Sequence, residues 1–262
     1  SHSSTYCCAD HRSSGPATFG HARIVPRAPA HRDVRRAQPT GAPYGAAMTT
    51  AAQAARDLRH LTCELLLAAG PNAPTLCEGW TCADLAAHLV IRESRPDAAI
   101  GLIVPIAASR TARIQSGYAR RDYVALVERV RSGPPLWSPL RWLDGAANLI
   151  EFAVHHEDIR LANPGCGQPL PTAVHKLLWR RLRSAARLMF RNVPTALTLR
   201  TDDGQTFIVR AHAKKDTDSA GEVVITGSPV QLLLEATGRT SGATIEADAT
   251  ALDAYKSANR GI

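Results

Sequence analysis

Three residues carry the sharpest chemistry in the sequence. Glu151 and His155 stand four apart in NLIEFAVHHEDIR, and His88 sits in the middle of TCADLAAHLV. On a helix, a spacing of four puts two side chains on one face, about 6 Å apart along the axis. If the two segments run as antiparallel helices, His88 faces the other two. Two imidazoles and a carboxylate, with water, make a common catalytic zinc shell, and they suit other divalent ions as well. Such a site lowers the pKa of bound water or offers an open position to a thiolate. Asn148, three residues before Glu151, then falls where it would support a ligand or touch substrate. The residues alone leave a plainer alternative open. Glu151 and His155 would form an intrahelical hydrogen-bonded pair, and His88 would be a packing histidine among Leu85, Leu89 and Val90.

Other candidates are weaker. His156, Glu157 and Asp158 crowd the same turn but point in different directions, and Asp158 with Arg160 reads as support for the helix end or a domain contact. Glu64, four residues after His60, reads as its surface partner. Cys63, Cys77 and Cys82 share no ligand spacing, so each reads as a small buried hydrophobe. The six cysteines form no CxxC pair and no scaffold pattern, which points to reduced thiols and a cytoplasmic protein. No phosphate-binding glycine loop or nucleophile elbow occurs.

Helices must position the trio. TTAAQAARDLRHLTCELLLAA, from Thr49 to Ala69, has Leu58, Leu61, Leu65 and Leu66 at helical spacing and a glycine stop at Gly70. After the loop PNAPTLCEGW, a second helix opens at Thr81, whose spacing to Asp84 suits a capping box, and ends before Pro96. Residues 97–118 are ambiguous. A third helix is expected over Arg121–Val130 and a fourth from about Leu140 to Leu161, which together indicate an up-down four-helix bundle. Thr172 to Arg191 reads as a further helix with Arg180, Arg183 and Arg187 on one basic face. The period then changes. TALTLRT, QTFIVRAH and EVVITG read as strands, with DDG as a hairpin turn, SPVQLLLEATG as a capped helix, ATIEAD as a strand and ALDAYKSAN as a terminal helix. A mainly α N-terminal part followed by a small α/β domain is the expected fold class. Its parts are a loosely ordered leader at 1–47, a helical metal-binding domain at 48–165, and a linking helix with the α/β domain at 166–262.

Composition narrows the partners. The chain has 262 residues, 45% hydrophobic, 5% aromatic and 21% charged, with a formal net charge of +8. No apolar run reaches the roughly 18 residues of a membrane span; Ala98–Ala108 is the longest candidate, and Pro105 interrupts it. Half of the net charge lies before Met48, where six arginines face Asp10 and Asp33. The mild excess that remains suits small anionic ligands and gives little support to nucleic-acid binding. The leader lacks any sustained period, and helical patterning begins directly after Met48, the first methionine. It therefore reads as upstream sequence included through a misplaced start codon more readily than as a genuine tail.

PTLCEGWTCADLAAHLVIRE, residues 74–93, resembles the second-helix signature of the mycothiol-dependent maleylpyruvate isomerase N-terminal domain, one of the DinB-like metal-binding four-helix bundles. NLIEFAVHHEDIRLANPG, residues 148–165, is similar to the metal-binding fourth helix of an actinobacterial branch of these proteins. The resemblance implies that His88, Glu151 and His155 hold zinc, with water completing the shell. It implies a small-molecule thiol, mycothiol, as cosubstrate, and isomerisation or transfer on a small anionic electrophile. GEVVITGSPVQLLLEATGRTSGATIEAD resembles the small α/β domain that follows such bundles and supplies a basic residue. Arg239 is the carry-over for a bidentate clamp on a substrate carboxylate, and Arg210 the second choice. A non-catalytic metal-binding or ligand-sensing protein is the competing reading, as is a metal-dependent hydrolase with Asp84 or Glu157 accepting a proton from water. An open metal position facing a cleft beside Arg239 or the basic helix would favour an enzyme.

Overall fold

A computed structural model describes residues 50–95, 108–138, 141, 144–211 and 221–258. The leader expected at 1–47 lies outside them. Among the described residues there are eight α-helices, one short 3-10 turn and four strands. The described residues are mainly helical up to Met189 and mixed α/β beyond it.

Helix α1 spans Ala51–Ala69. Thr50 caps its start by accepting from Gln53 N, and Gly70, with φ of 85°, takes the chain out of the helix. Its apolar stripe of Ala54, Leu58, Leu65 and Leu66 is buried. Helix α2 spans Cys82–Ser94 behind a complete Thr81–Asp84 capping box. The ambiguous stretch contributes helix α3, Ala108–Ala119. Helix α4 follows at Tyr123–Arg131, with Asp122 as its N-cap. Helix α5, Asp144–Ala162, lies along α1, and α2 packs against α3 and α4. Glu64 takes Arg131 at 2.7 Å in place of the expected His60, because the α1–α4 packing brings the arginine to it.

A 3-10 turn at Thr172–Val174 leads into α6, His175–Met189, so the expected helix over Thr172–Arg191 is shorter and opens tighter. The strands are β1 (Ala196–Thr201), β2 (Thr206–Arg210), β3 (Glu222–Gly227) and β4 (Thr244–Glu246). Their order is β2-β1-β3-β4. β1 pairs with β2 antiparallel, β1 with β3 parallel, and β3 with β4 antiparallel. Gly204, at φ of 84°, makes the β1–β2 turn. Helix α7, Pro229–Ala236, joins β3 to β4 behind a Ser228–Gln231 capping box, and α8 spans Ala249–Ser257. The guanidinium groups of Arg183 and Arg187 each lie 5.6 Å from the Phe207 ring centroid. Two of the three arginines on the basic face of α6 thus stand against β2.

Two contacts decide where the chemistry assembles. Helix α7 packs on α5 as well as on α6, and one continuous cluster of buried apolar side chains runs from Ala54 to Tyr255. The loop between α1 and α2 is also tied to the end of α5. Leu76 N donates to Asp158 O at 3.0 Å, and Asn163 Nδ2 donates to Pro74 O at 2.9 Å. No described helix is long and apolar enough to cross a membrane.

Candidate metal centre

Helix α5 is enclosed nearly all round, with Leu149, Phe152, Val154 and Ile159 buried beside His155, His156, Glu157 and Asp158. A helix packed on every side needs a partner for each inward polar group. His156 Nε2 meets Gln168 O at 3.1 Å, and Glu157 takes Arg160 at 2.6 Å. His155 and Asp158 turn toward α2, the α1–α2 loop and the segment after α7.

His88, Glu151 and His155 come together. His88 Nε2 lies 3.1 Å and His155 Nε2 3.2 Å from Glu151 Oε1, and one ligand atom from each residue lies within 4.8 Å of the others. The two imidazoles meet edge to face, 5.3 Å between centroids. Trp80 covers the outer side, 5.1 Å from the His88 ring. Asp158 Oδ2 accepts from His155 Nδ1 at 2.8 Å, which fixes the ring and leaves Nε2 facing Glu151. This is the carboxylate–histidine arrangement that orients metal ligands. The donor set therefore fits a divalent ion. His88 Nδ1 is buried with no hydrogen-bond partner, so on that side packing alone holds the ring, while Nε2 meets Glu151.

The electrostatics agree with that fit. Burial opposes ionisation of Glu151, yet hydrogen bonds from His155 and His88 and the charge of Arg92 outweigh it and hold the carboxyl well below its usual range. Burial also disfavours a charged His155, but Asp158, Cys77 and Glu151 raise its pKa well above that of a free histidine. Burial pushes His88 down more than Glu151 raises it. An ion binding to this set would displace a proton from His155, so loading must compete with protons.

A cavity of about 490 Å³ opens beside the trio, lined by His88, His155, Trp80, Cys77, Glu78 and Arg239, among others. Gly238, at φ of 76°, turns the chain after α7 and sends Arg239 toward α5. Its Nε and Nη2 donate to the two oxygens of Asp158 at 2.8 and 3.0 Å, Nη1 donates to Thr237 O at 3.0 Å, and Nη2 also reaches Cys77 Sγ at 3.6 Å. The bidentate edge expected to clamp substrate is thus occupied by Asp158. A guanidinium has five N–H donors, so a single Nη1 N–H is left toward an incoming acceptor.

The other expected site residues lie elsewhere. Asn148 is buried and accepts from Arg92 Nη1 at 2.5 Å, while Arg92 Nε stands 3.4 Å from Glu151 Oε2. Asn148 therefore reaches the trio through Arg92. Asp84 is engaged in the α2 cap, accepting from Thr81 N and Oγ1. Arg210 donates to Arg191 O at 3.2 Å and does not line the cavity. Sequence reading missed Asp158, Arg92, Trp80 and Cys77. Only Asp158 carried a local signal, three residues after His155, where a helical carboxylate can reach the ring. Cys77 is half-buried in the cavity wall, 3.3 Å from Asp158 Oδ2, and is not the buried hydrophobe expected. Cys77, His155 and Asp158 make a second group with metal-ligand spacing, although the Arg239 guanidinium already sits against it.

No protein-family model matches the chain, and no curated protein matches it. Two solved structures align with it, a mycothiol-dependent maleylpyruvate isomerase and a histidine-to-alanine mutant of that enzyme. Each is 14% identical, covers 75% of this chain and 91% of its own, and superposes with a TM-score of 0.45. A likeness this distant assigns no activity.

Proposed function

We propose that His88, Glu151 and His155 hold a divalent ion, zinc by donor type, and that the chain is a thiol-dependent isomerase or transferase acting on a small anionic electrophile. The bundle would be residues 48–165, with 166–262 as the α/β part that walls the site. The observation that carries this reading is the trio's convergence within 4.8 Å beside a cavity of about 490 Å³. A bound ion would supply Lewis acidity that keeps a thiol, mycothiol by the motif resemblance, ionised at neutral pH. Asp158 keeps His155 in the orienting tautomer, with Nδ1 as donor. Arg92 steadies Glu151 and is itself steadied by Asn148. Arg239 places positive charge on the cavity wall and, through Asp158, holds His155 in place; the free Nη1 N–H gives an anionic substrate one contact point. Trp80 narrows water access on the His88 side.

The open side toward the cavity supports an enzyme over a closed, purely structural metal site. For a hydrolase, Asp84 and Glu157 are both engaged away from the cavity, and Glu78 is the carboxylate on its wall. The test is metal content of the purified full chain by inductively coupled plasma mass spectrometry, with His88→Ala and His155→Ala alongside. About one ion per chain in wild type, lost in both variants, is expected. A wild-type chain that remains empty after zinc addition would overturn the reading.

A further inference from the structure

Cys77 has no part in the mechanism above, yet it stands on the wall of the same cavity. Cys63, Cys82 and Cys166 are buried, whereas Cys77 is half-buried. Its sulfur is not isolated. It shares Asp158 Oδ2 with the His155 ring and lies 3.6 Å from Arg239 Nη2. The thiol therefore lies between the Asp158 carboxylate and the Arg239 guanidinium and faces a space large enough for a small molecule. A thiol that only filled a core gap would show none of this.

We propose that Cys77 is a site of reversible thiol–disulfide exchange with low-molecular-weight disulfides, and that its adduct occupies the cavity and closes the metal centre to ligands. Cys77 sulfur attacks one sulfur of the disulfide RS–SR. The new bond is Cys77 S–SR, the old S–S bond breaks, and the thiol proton leaves with the departing RSH. Cys77 is oxidised and half of the disulfide is reduced, so no further oxidant is required. An added thiol reverses the exchange. The adduct removes the S–H donor to Asp158 and fills the space between Trp80 and Arg239. The oxidised form of a thiol cosubstrate would then shut the site that its reduced form uses. This regulatory role rests on the function proposed above, whereas the exchange itself needs only the cavity and not the ion.

The probe is bis(2-hydroxyethyl) disulfide, applied to the full chain carrying Cys7→Ser and Cys8→Ser, because those two cysteines lie outside the described residues. Intact and peptide mass spectrometry should find one reductant-reversible adduct on Cys77, formed at least about 100-fold faster than on Cys63, Cys82 or Cys166. Adding Cys77→Ser should abolish it. Zinc uptake by the adducted chain should fall at least about tenfold and return on reduction. Labelling spread over the buried cysteines, or an unmodified Cys77, would overturn the exchange site. An adduct on Cys77 that leaves zinc uptake unchanged would overturn the closure. A chain that takes up zinc in neither form sinks the metal reading, and the adduct map still decides Cys77.

Discussion

Two clusters of charge are enclosed by the helices, and they differ in one respect. Arg59 on α1 and Glu93 on α2 face each other fork to fork at 2.7 and 2.6 Å, and Arg59 also donates to Val130 O at 2.9 Å and lies over the Phe152 ring. Arg59 is 4% and Glu93 3% exposed. In the second cluster, Glu151 is met by two histidines and Arg92, but its side chain retains 23% exposure, and the two histidines line a cavity. Each cluster holds its charges by the same physics, paired groups whose hydrogen bonds offset desolvation. The first is closed and joins three helices, α1, α2 and α4. The second aims several donor atoms at one point and leaves a side open. Burial of charge does not distinguish the two clusters; convergence of donors beside an open space does.

Breaking the closed cluster should give the largest effect on folding. Glu93→Ala leaves the Arg59 guanidinium buried without its carboxylate and should cost about 3–5 kcal/mol, read from the urea unfolding midpoint. Replacing both residues with apolar side chains should recover most of that loss. Neither change should alter metal content, because neither residue touches the trio. If Glu93→Ala did remove metal, the two clusters would be one unit and the comparison would fail.

A smaller effect is expected at the edge of the open cluster. Asp158→Asn keeps the size of the side chain but removes the charge that orients His155 and engages Arg239. Metal affinity should fall about 10–100-fold, measured by competition with a chelating dye. The unfolding midpoint should fall too, by less than in Glu93→Ala, because Arg239 loses its buried carboxylate partner but is itself partly exposed. Unchanged affinity would mean that the His155 ring is held by packing alone.

The smallest effect concerns Cys63, which lies on the closed side. Burial raises its thiol from 9.0 to about 12, against the lowering effect of Arg131 and Arg59. The folded state therefore favours the protonated thiol. That contribution to stability is complete below pH 9.0 and is lost as the pH rises toward about 12. Cys63→Ala should flatten the alkaline fall in unfolding midpoint by the share this thiol contributes. A wild-type curve no steeper than that of the variant would show that the thiol ionises as freely when folded as when unfolded.

Much of this was legible in the chain because it is local. Period and caps marked α1, α2 and α7, including the Thr81–Asp84 box and the Ser228 cap, since a cap joins residues three apart. Alternation and the DDG turn marked β1 and β2. Glu151 and His155 could be paired because one helix fixes their spacing. Asp158 with Arg160 reads as support for the helix end or a domain contact; the arginine goes to Glu157, and the carboxylate meets Arg239 of the C-terminal part.

What the sequence determined by itself was the elements and the types of donor they carry, because backbone propensity and side-chain period act over a few residues. Which donors meet was decided only by the tertiary structure. Cys77 reaches Asp158 across 81 positions, and Arg239 reaches Cys77 across 162. No local period reports such contacts. They follow from α7 packing on α5 and from the loop tied at Pro74, where burial of apolar surface sets the geometry and the polar groups take the partners it brings within reach.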